Sequence, residues 1–157
     1  MMQIRRWLDR GLLGITSTLM VLMVLGVVWQ VFSRYVLNAP STFMEELMRI
    51  CLIWIAMLGA GYAFGTNQHL SFSFFQEKMT DKNRKRLQLI NMVLIVGFAL
   101  VVLIKGGIDL FFVTLDETTA ILLLPRGVVN VALPISGLII LVYQVFHVVD
   151  LYRSSSQ

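Results

Sequence analysis

Few side chains in this sequence are placed to do chemistry, and each sits beside or within apolar sequence. The histidines are His69 and His147, the one cysteine is Cys51, and the notable charges are Glu45, Glu46 and Arg49 in one cluster and Lys105 with Asp109 in another. Two imidazoles on facing helices can ligate haem from both sides, which makes a haem-bearing membrane anchor of a respiratory enzyme one reading of His69 and His147. Both fall at the ends of their apolar runs, however, where an interfacial histidine is the ordinary role. The chain contains no phosphate-binding loop, no dinucleotide fingerprint and no Cys/His metal set, so neither an enzyme, a bound cofactor nor a metal is expected. A lone Cys51 forms no intrachain disulfide and is read as a packing residue.

Glu45 and Glu46 stand four and three residues before Arg49. On a helix those spacings bring both carboxylates within reach of the guanidinium from the preceding turn, so an ion-paired cluster is expected at the mouth of a membrane helix. It either snorkels outward as an ordinary interfacial pair or holds a partner protein. Thr42 and Glu45 have capping-box spacing, which would start the helix just after Pro40. Further along the same run, Gly61-x-x-x-Gly65 and the small residues Ala56, Gly59, Ala60 and Ala63 permit close approach of another helix, and Trp54 precedes them. Lys105 and Asp109, four apart, are expected to pair on one helix face near the boundary of their apolar run, because an unpaired charge in mid-membrane costs about 2.5–3.5 kcal/mol.

The elements that carry these residues follow from hydropathy. Hydrophobic residues make up 57% of the 157, above the share of an ordinary soluble domain, and the chain is read as an all-α integral membrane protein. Four apolar stretches reach the roughly 20 residues that cross a hydrocarbon core about 30 Å thick. Spans are expected at about 11–33, 46–66, 87–113 and 128–149 of a single membrane domain. The first run is too long for a signal-peptide core and lacks a small-x-small cleavage site, so it is read as a retained helix. Trp29, Arg34 and Tyr35 mark its far end, and Asn38 to Ser41 form the turn into the second span. Between the second and third spans, Leu70, Phe72, Phe74 and Phe75 alternate with polar residues as a short amphipathic segment lying on the membrane surface. The third run exceeds a perpendicular crossing and should tilt or kink, with Gly106 and Gly107 offering a bend. Pro134 is expected to kink the fourth. Asp116 to Thr119 open the loop between them, Pro125 to Gly127 close it, and the serine-rich tail should be disordered.

Basic residues orient the chain. Arg5, Arg6 and Arg10 at the amino end, Lys78, Lys82, Arg84, Lys85 and Arg86 in the middle loop, and Arg153 near the carboxyl end put most of the 13 lysines and arginines on one side. The positive-inside bias makes that side cytoplasmic, with both termini on it, and these residues are expected to anchor the chain to the membrane surface. The formal net charge of +4 does not signal nucleic acid, because the basic residues flank apolar runs instead of interleaving with aromatics. A transporter working alone needs a polar site near the midplane, usually built from broken helices. No such cluster is visible, which favours an accessory subunit over an independent small channel. Its candidate contact residues are Glu45, Glu46, Arg49, Trp54, Gly59 and Gly61, with the loop acids Asp116 and Glu117.

Arg34, Pro40, the segment Glu45-Glu46-Leu47-x-Arg49, Trp54, Leu58-Gly59-Ala60, His69, the basic middle loop and Leu133-Pro134-Ile135-x-Gly137 stand in an order that resembles one known family. It is the small membrane subunit, the Q or DctQ type, of tripartite ATP-independent periplasmic (TRAP) transporters. The resemblance covers nearly the whole chain, and its most specific part is the Glu-Glu-Leu-x-Arg segment with the tryptophan and histidine that follow. It implies a bacterial inner-membrane complex in which a large multi-span subunit carries the substrate and sodium sites and a soluble periplasmic binding protein delivers the substrate. It also implies uptake of a carboxylate, such as a C4-dicarboxylate, sialic acid or another sugar acid, on the sodium gradient. The small subunit would brace the static scaffold of the large one.

Overall fold

The computed structural model describes residues 2–65 and 81–154. Helix α1 runs Met2–Tyr35, α2 Thr42–Gly65 and α3 Asp81–Phe98; a π-helical segment follows at Ala99–Gly106, then α4 at Gly107–Val113, α5 at Arg126–Asn130 and α6 at Ala132–Ser154. Among the described residues, four stretches are long and apolar enough to cross a membrane: Arg5–Tyr35, Thr42–Gly65, Leu89–Val113 and Arg126–Val149. The third is made of α3, the π segment and α4 end to end, and the fourth of α5 and α6. The amphipathic segment expected after the second span, with His69, and the serine tail beyond Ser154 lie outside the described residues, as do the side chains of Lys82, Arg84 and Lys85.

Helix α1 is apolar around most of its circumference, and Leu25, Val28 and Val31 are among its exposed residues, as suits a helix that meets lipid. Its 34 residues rise about 51 Å, well over the thickness of a hydrocarbon core. Thr16 and Thr18 donate their hydroxyls to the Leu12 and Gly14 carbonyls at 2.7 and 2.8 Å, so neither carries an unmet hydrogen bond into the bilayer. The turn to α2 uses Asn38 at φ 52°, a left-handed conformation that asparagine tolerates. Where α2 begins, the Glu45 amide donates to the Ser41 carbonyl at 3.3 Å. Ser41 therefore holds the cap position, one residue before the place the Thr42/Glu45 spacing indicates.

Contacts between the spans run in the order first, second, fourth, third: α2 lies between α1 and α6, and the third span packs on α6. Glycines set these approaches. A Cβ at Gly61 would lie 3.2 Å from Ile139 Cγ2, one at Gly107 would lie 2.7 Å from Pro134 Cδ, and one at Gly137 would lie 2.9 Å from Leu103 and Ile104. Two small cores result. Leu12, Leu58 and Tyr143 join α1, α2 and α6 with Trp54, Tyr62 and Ile139 around them, while Ala99, Leu103 and Ile140 join the π segment to α6 with Phe64 and Ile95.

Both irregularities of the second half occur where it packs. Pro134 has no N–H for the Asn130 carbonyl, and α5 and α6 divide at Val131, yet the chain stays right-handed helical there (φ −57°, ψ −21°): Val131 N–H meets Gly127 O at 3.0 Å and Ile135 N–H meets Val131 O at 3.2 Å. The third span does not bend at Gly106 and Gly107 as a plain kink. Eight residues are π-helical, and the Gly107 N–H closes them by meeting both the Leu103 and Ile104 carbonyls. Lys105 lies in the last turn of that segment and Asp109 stands in the α-helix after it. The ion pair expected between them does not form, and both side chains are exposed. A wider π turn changes the angular step per residue, so a spacing of four across the junction no longer stacks one side chain over the other.

Candidate functional site

Glu46 is half-buried on the second turn of α2, and its side chain is committed to the far loop. Its Oε2 accepts the Ile121 and Leu122 amides at 2.9 and 3.0 Å, and the Thr119 hydroxyl bonds to the same carboxylate. Thr119 in turn closes the loop on itself: its N–H donates to the Leu124 carbonyl at 2.9 Å and its Oγ1 accepts the Leu124 N–H at 3.1 Å. A tip that cannot satisfy its own amides is thus completed by a carboxylate from another span, the charge-assisted arrangement that makes the stronger hydrogen bonds. The expected ion pairing of Glu45 and Glu46 with Arg49 is not formed. Glu46 is turned to the loop amides, Arg49 acts on it only as a nearby charge, and Glu45 and Arg49 are both exposed.

The arms of the loop are laced separately. Arg126 N–H donates to the Glu117 carbonyl at 2.8 Å, and its guanidinium meets the Glu117 carboxylate at 2.9 Å with both side chains about half exposed. Gly127 N–H donates to the Thr114 carbonyl at 3.1 Å, and Asn130 Nδ2 to the Thr114 hydroxyl at 3.0 Å. Asp116 stays exposed beside them. Between this loop and α2 lies a cleft of about 560 Å³, bordered by Glu45, Arg49, Ile53, Ile121, Arg126 and Asn130 among others.

Helix α2 divides its remaining candidates between two faces. Gly61 is filled by Ile139 of α6 and Trp54 packs on the Leu12–Leu58–Tyr143 core, so these two contact residues are used within the chain. The Gly61-x-x-x-Gly65 spacing does mark a close helix approach, and the neighbour is α6. The opposite face carries Glu45, Arg49, Leu52, Ala56 and Ala60, all exposed at steps of three or four, and a Cβ at Gly59 would meet nothing within 4 Å. This face is open along its length.

At the other end of the bundle a second polar cluster ties three spans together, and sequence spacing gives no sign of it. The Tyr143 hydroxyl donates to Asp9 Oδ1, and Arg5 donates to the Gly65 carbonyl at 3.4 Å. The Tyr143 ring lies flat on Gly65, where a Cβ would come within 2.3 Å of it. Arg5 therefore binds within the chain, whereas Arg6, Arg10 and Arg86 are exposed and free to meet a membrane surface. The one available signal was Asp9, a lone acid among the arginines of the amino end. His147 stands one turn past Tyr143.

Four apolar spans among the described residues, with a polar cluster at each end, define a multi-span membrane protein. Residues 23–154 match the family described as tripartite ATP-independent periplasmic transporters, DctQ component, and the chain belongs to it. It is 27% identical over 143 residues to the sialic acid TRAP transporter small permease protein SiaQ of Vibrio cholerae serotype O1, covering 88% of this chain and 80% of that protein. It is 28% identical over 141 residues to a putative TRAP transporter small permease protein of Haemophilus influenzae, covering 89% and 86%. The chain is thus a small permease subunit of a TRAP transporter, a multi-pass inner-membrane protein and not an enzyme. Membership sets aside the haem-bearing anchor and the independent channel.

Proposed function

We propose that this subunit transports nothing alone and braces the large, translocating membrane subunit through the open face of α2. The carrying observation is that face itself: Arg49, Leu52, Ala56 and Ala60 are exposed while the opposite side of the same helix is filled by α6. Small residues favour helix contact in lipid because backbones can approach closely. The accessory reading is further supported by the buried polar side chains among the described residues. Of the four, Ser33, Thr119, Ser136 and Gln144, Ser33 and Ser136 spend their hydroxyls on the Gln30 and Leu133 carbonyls of their own helices at 3.0 and 2.8 Å, and Thr119 serves the loop. Sodium coupling accordingly belongs to the partner. Both termini are placed on the cytoplasmic side by the basic residues that flank the spans, which leaves the capped loop, with Asp116 and Glu117, facing the arriving periplasmic binding protein. The substrate is a carboxylate, with sialic acid as the first compound to test, given the name of the Vibrio relative.

Reconstitution tests this. Proteoliposomes holding the large subunit and this chain, supplied with the binding protein, should take up one of a panel of carboxylates on a sodium gradient; vesicles with this chain alone should not. Arg49→Leu should weaken co-purification with the large subunit. Uptake by this chain alone, or unchanged co-purification together with full uptake by the variant, would overturn the reading.

A further inference from the structure

The loop tip, Ala120 to Leu124, is apolar, and none of its larger side chains is buried in the bundle. Ile121 is 45%, Leu123 70% and Leu124 41% exposed. The chain leaves the third span at Val113 and enters the fourth at Arg126, so an unattached loop would project away from both. Instead the tip folds sideways and down: its amides are held by Glu46, which stands four residues, about 6 Å, inside the start of α2. The tip therefore lies in the plane where the spans begin. Val36, Leu37 and Phe43, exposed at the α1–α2 turn and the first turn of α2, extend the apolar rim at the same end.

Leu123 makes the point more sharply. Its φ is 52°, the left-handed region that asparagine or glycine enters readily and a branched side chain does not. A leucine there gains nothing from its backbone and, at 70% exposure, little from the rest of the chain; the side chain is useful only against something outside. We infer that the Ile121–Leu124 tip is a membrane foot, inserted in the interfacial layer of the lipid leaflet at this end of the protein. Lipid is favoured over a protein occupant because the spans themselves set the level of the tip, and the rim continues the apolar surface that already faces the bilayer. Glu46 acts as the positioning residue. Its carboxylate satisfies the two tip amides that would otherwise have to leave water unpaired, the condition for bringing irregular backbone toward hydrocarbon. The ion-paired arm at Glu117 and Arg126 stays on the aqueous side.

The test uses the assembled transporter in phosphatidylethanolamine and phosphatidylglycerol vesicles. A Leu123→Cys variant in a Cys51→Ala background carries an environment-sensitive fluorophore, and Asp116→Cys in the same background is the aqueous control. The label at 123 should emit to the blue, resist iodide and be quenched by lipids spin-labelled near the head of the acyl chain more than by lipids labelled deep in it. The label at 116 should show none of this. A label at Leu124→Cys gives a second reading of the same surface. Equal iodide quenching at 116, 123 and 124 overturns the proposal. So does lipid quenching seen with the isolated subunit and lost in the complex, which would assign the tip to the large subunit. Protection that arises only on adding the binding protein would assign it there and overturn the proposal too.

Discussion

Replacing Gly65 with alanine should cost this subunit more stability than its small size suggests. The new Cβ would lie 2.3, 2.4 and 2.6 Å from Cδ2, Cγ and Cδ1 of Tyr143, the inner part of a ring that is 1% exposed and tethered at its hydroxyl by Asp9. Because the ring cannot swing away at its base, either α2 and α6 separate or the ring moves and its bond to Asp9 breaks. Overpacking of this kind costs about 1–3 kcal/mol, and a lost hydrogen bond to a charged group about 1.5–3 kcal/mol. Better helix propensity of alanine offsets at most about 1 kcal/mol. A net loss of about 2–4 kcal/mol, at roughly 2–4 °C for each kcal/mol in a chain of this size, lowers the Tm by about 4–16 °C. Thermal unfolding of the purified subunit in detergent reads this, with Tyr143→Phe as the variant that removes only the bond to Asp9. The mechanism also fixes a coupling: in a Tyr143→Ala background the ring is gone, and Gly65→Ala should cost nothing further. A neutral Gly65→Ala, or the same cost in both backgrounds, would refute the steric account.

Glu46→Gln should leave the spans intact and raise amide exchange at Ile121 and Leu122 roughly tenfold, since a neutral amide oxygen is a weaker acceptor than a carboxylate; Arg49→Leu should leave exchange in that loop unchanged, and loosening by Arg49→Leu instead would restore the ion pair as the main partner of Glu46. Gly59→Leu should alter the Tm of the isolated subunit little, because nothing lies within 4 Å of the new Cβ, while lowering the yield of complex in a pull-down with the large subunit. Unchanged yield would show that the open face of α2 is not the docking face.

What the sequence reveals and what it hides follow from the range of the interactions. Four spans are legible because each is decided by its own run of apolar residues. Pro134 announces the missing helical bond at Asn130 for the same reason, since donor and acceptor lie within four residues. Glu46 is misread because the i, i+3 rule offers Arg49 as a neighbour, whereas its actual partners are 75 and 76 residues away. Lys105 and Asp109 fail to pair because the junction between the π segment and α4 separates them, and that segment packs through Leu103 and Ile104 on Gly137, which no local pattern encodes. Gly61 and Gly65 signal a close contact correctly but not with which helix. Asp9 finds Tyr143 only when α1, α2 and α6 are already together.

The order in which the spans touch has a consequence for how the protein is made. During synthesis α1 and α2 can pair as soon as both are in the bilayer, but the third span packs on a helix that does not yet exist. From Val113 to Val149 the ribosome adds about 36 residues, which at about 5–20 residues/s takes roughly two to seven seconds. Through that interval Gly61 and Gly65 on one side, and Leu103 and Gly107 on the other, wait beside lipid for the same late arrival. Helix α6 is the keystone of the assembly. A chain that stops before it keeps only the Glu46 clasp on the loop amides and the short contact of α5 with α2 to join its two halves.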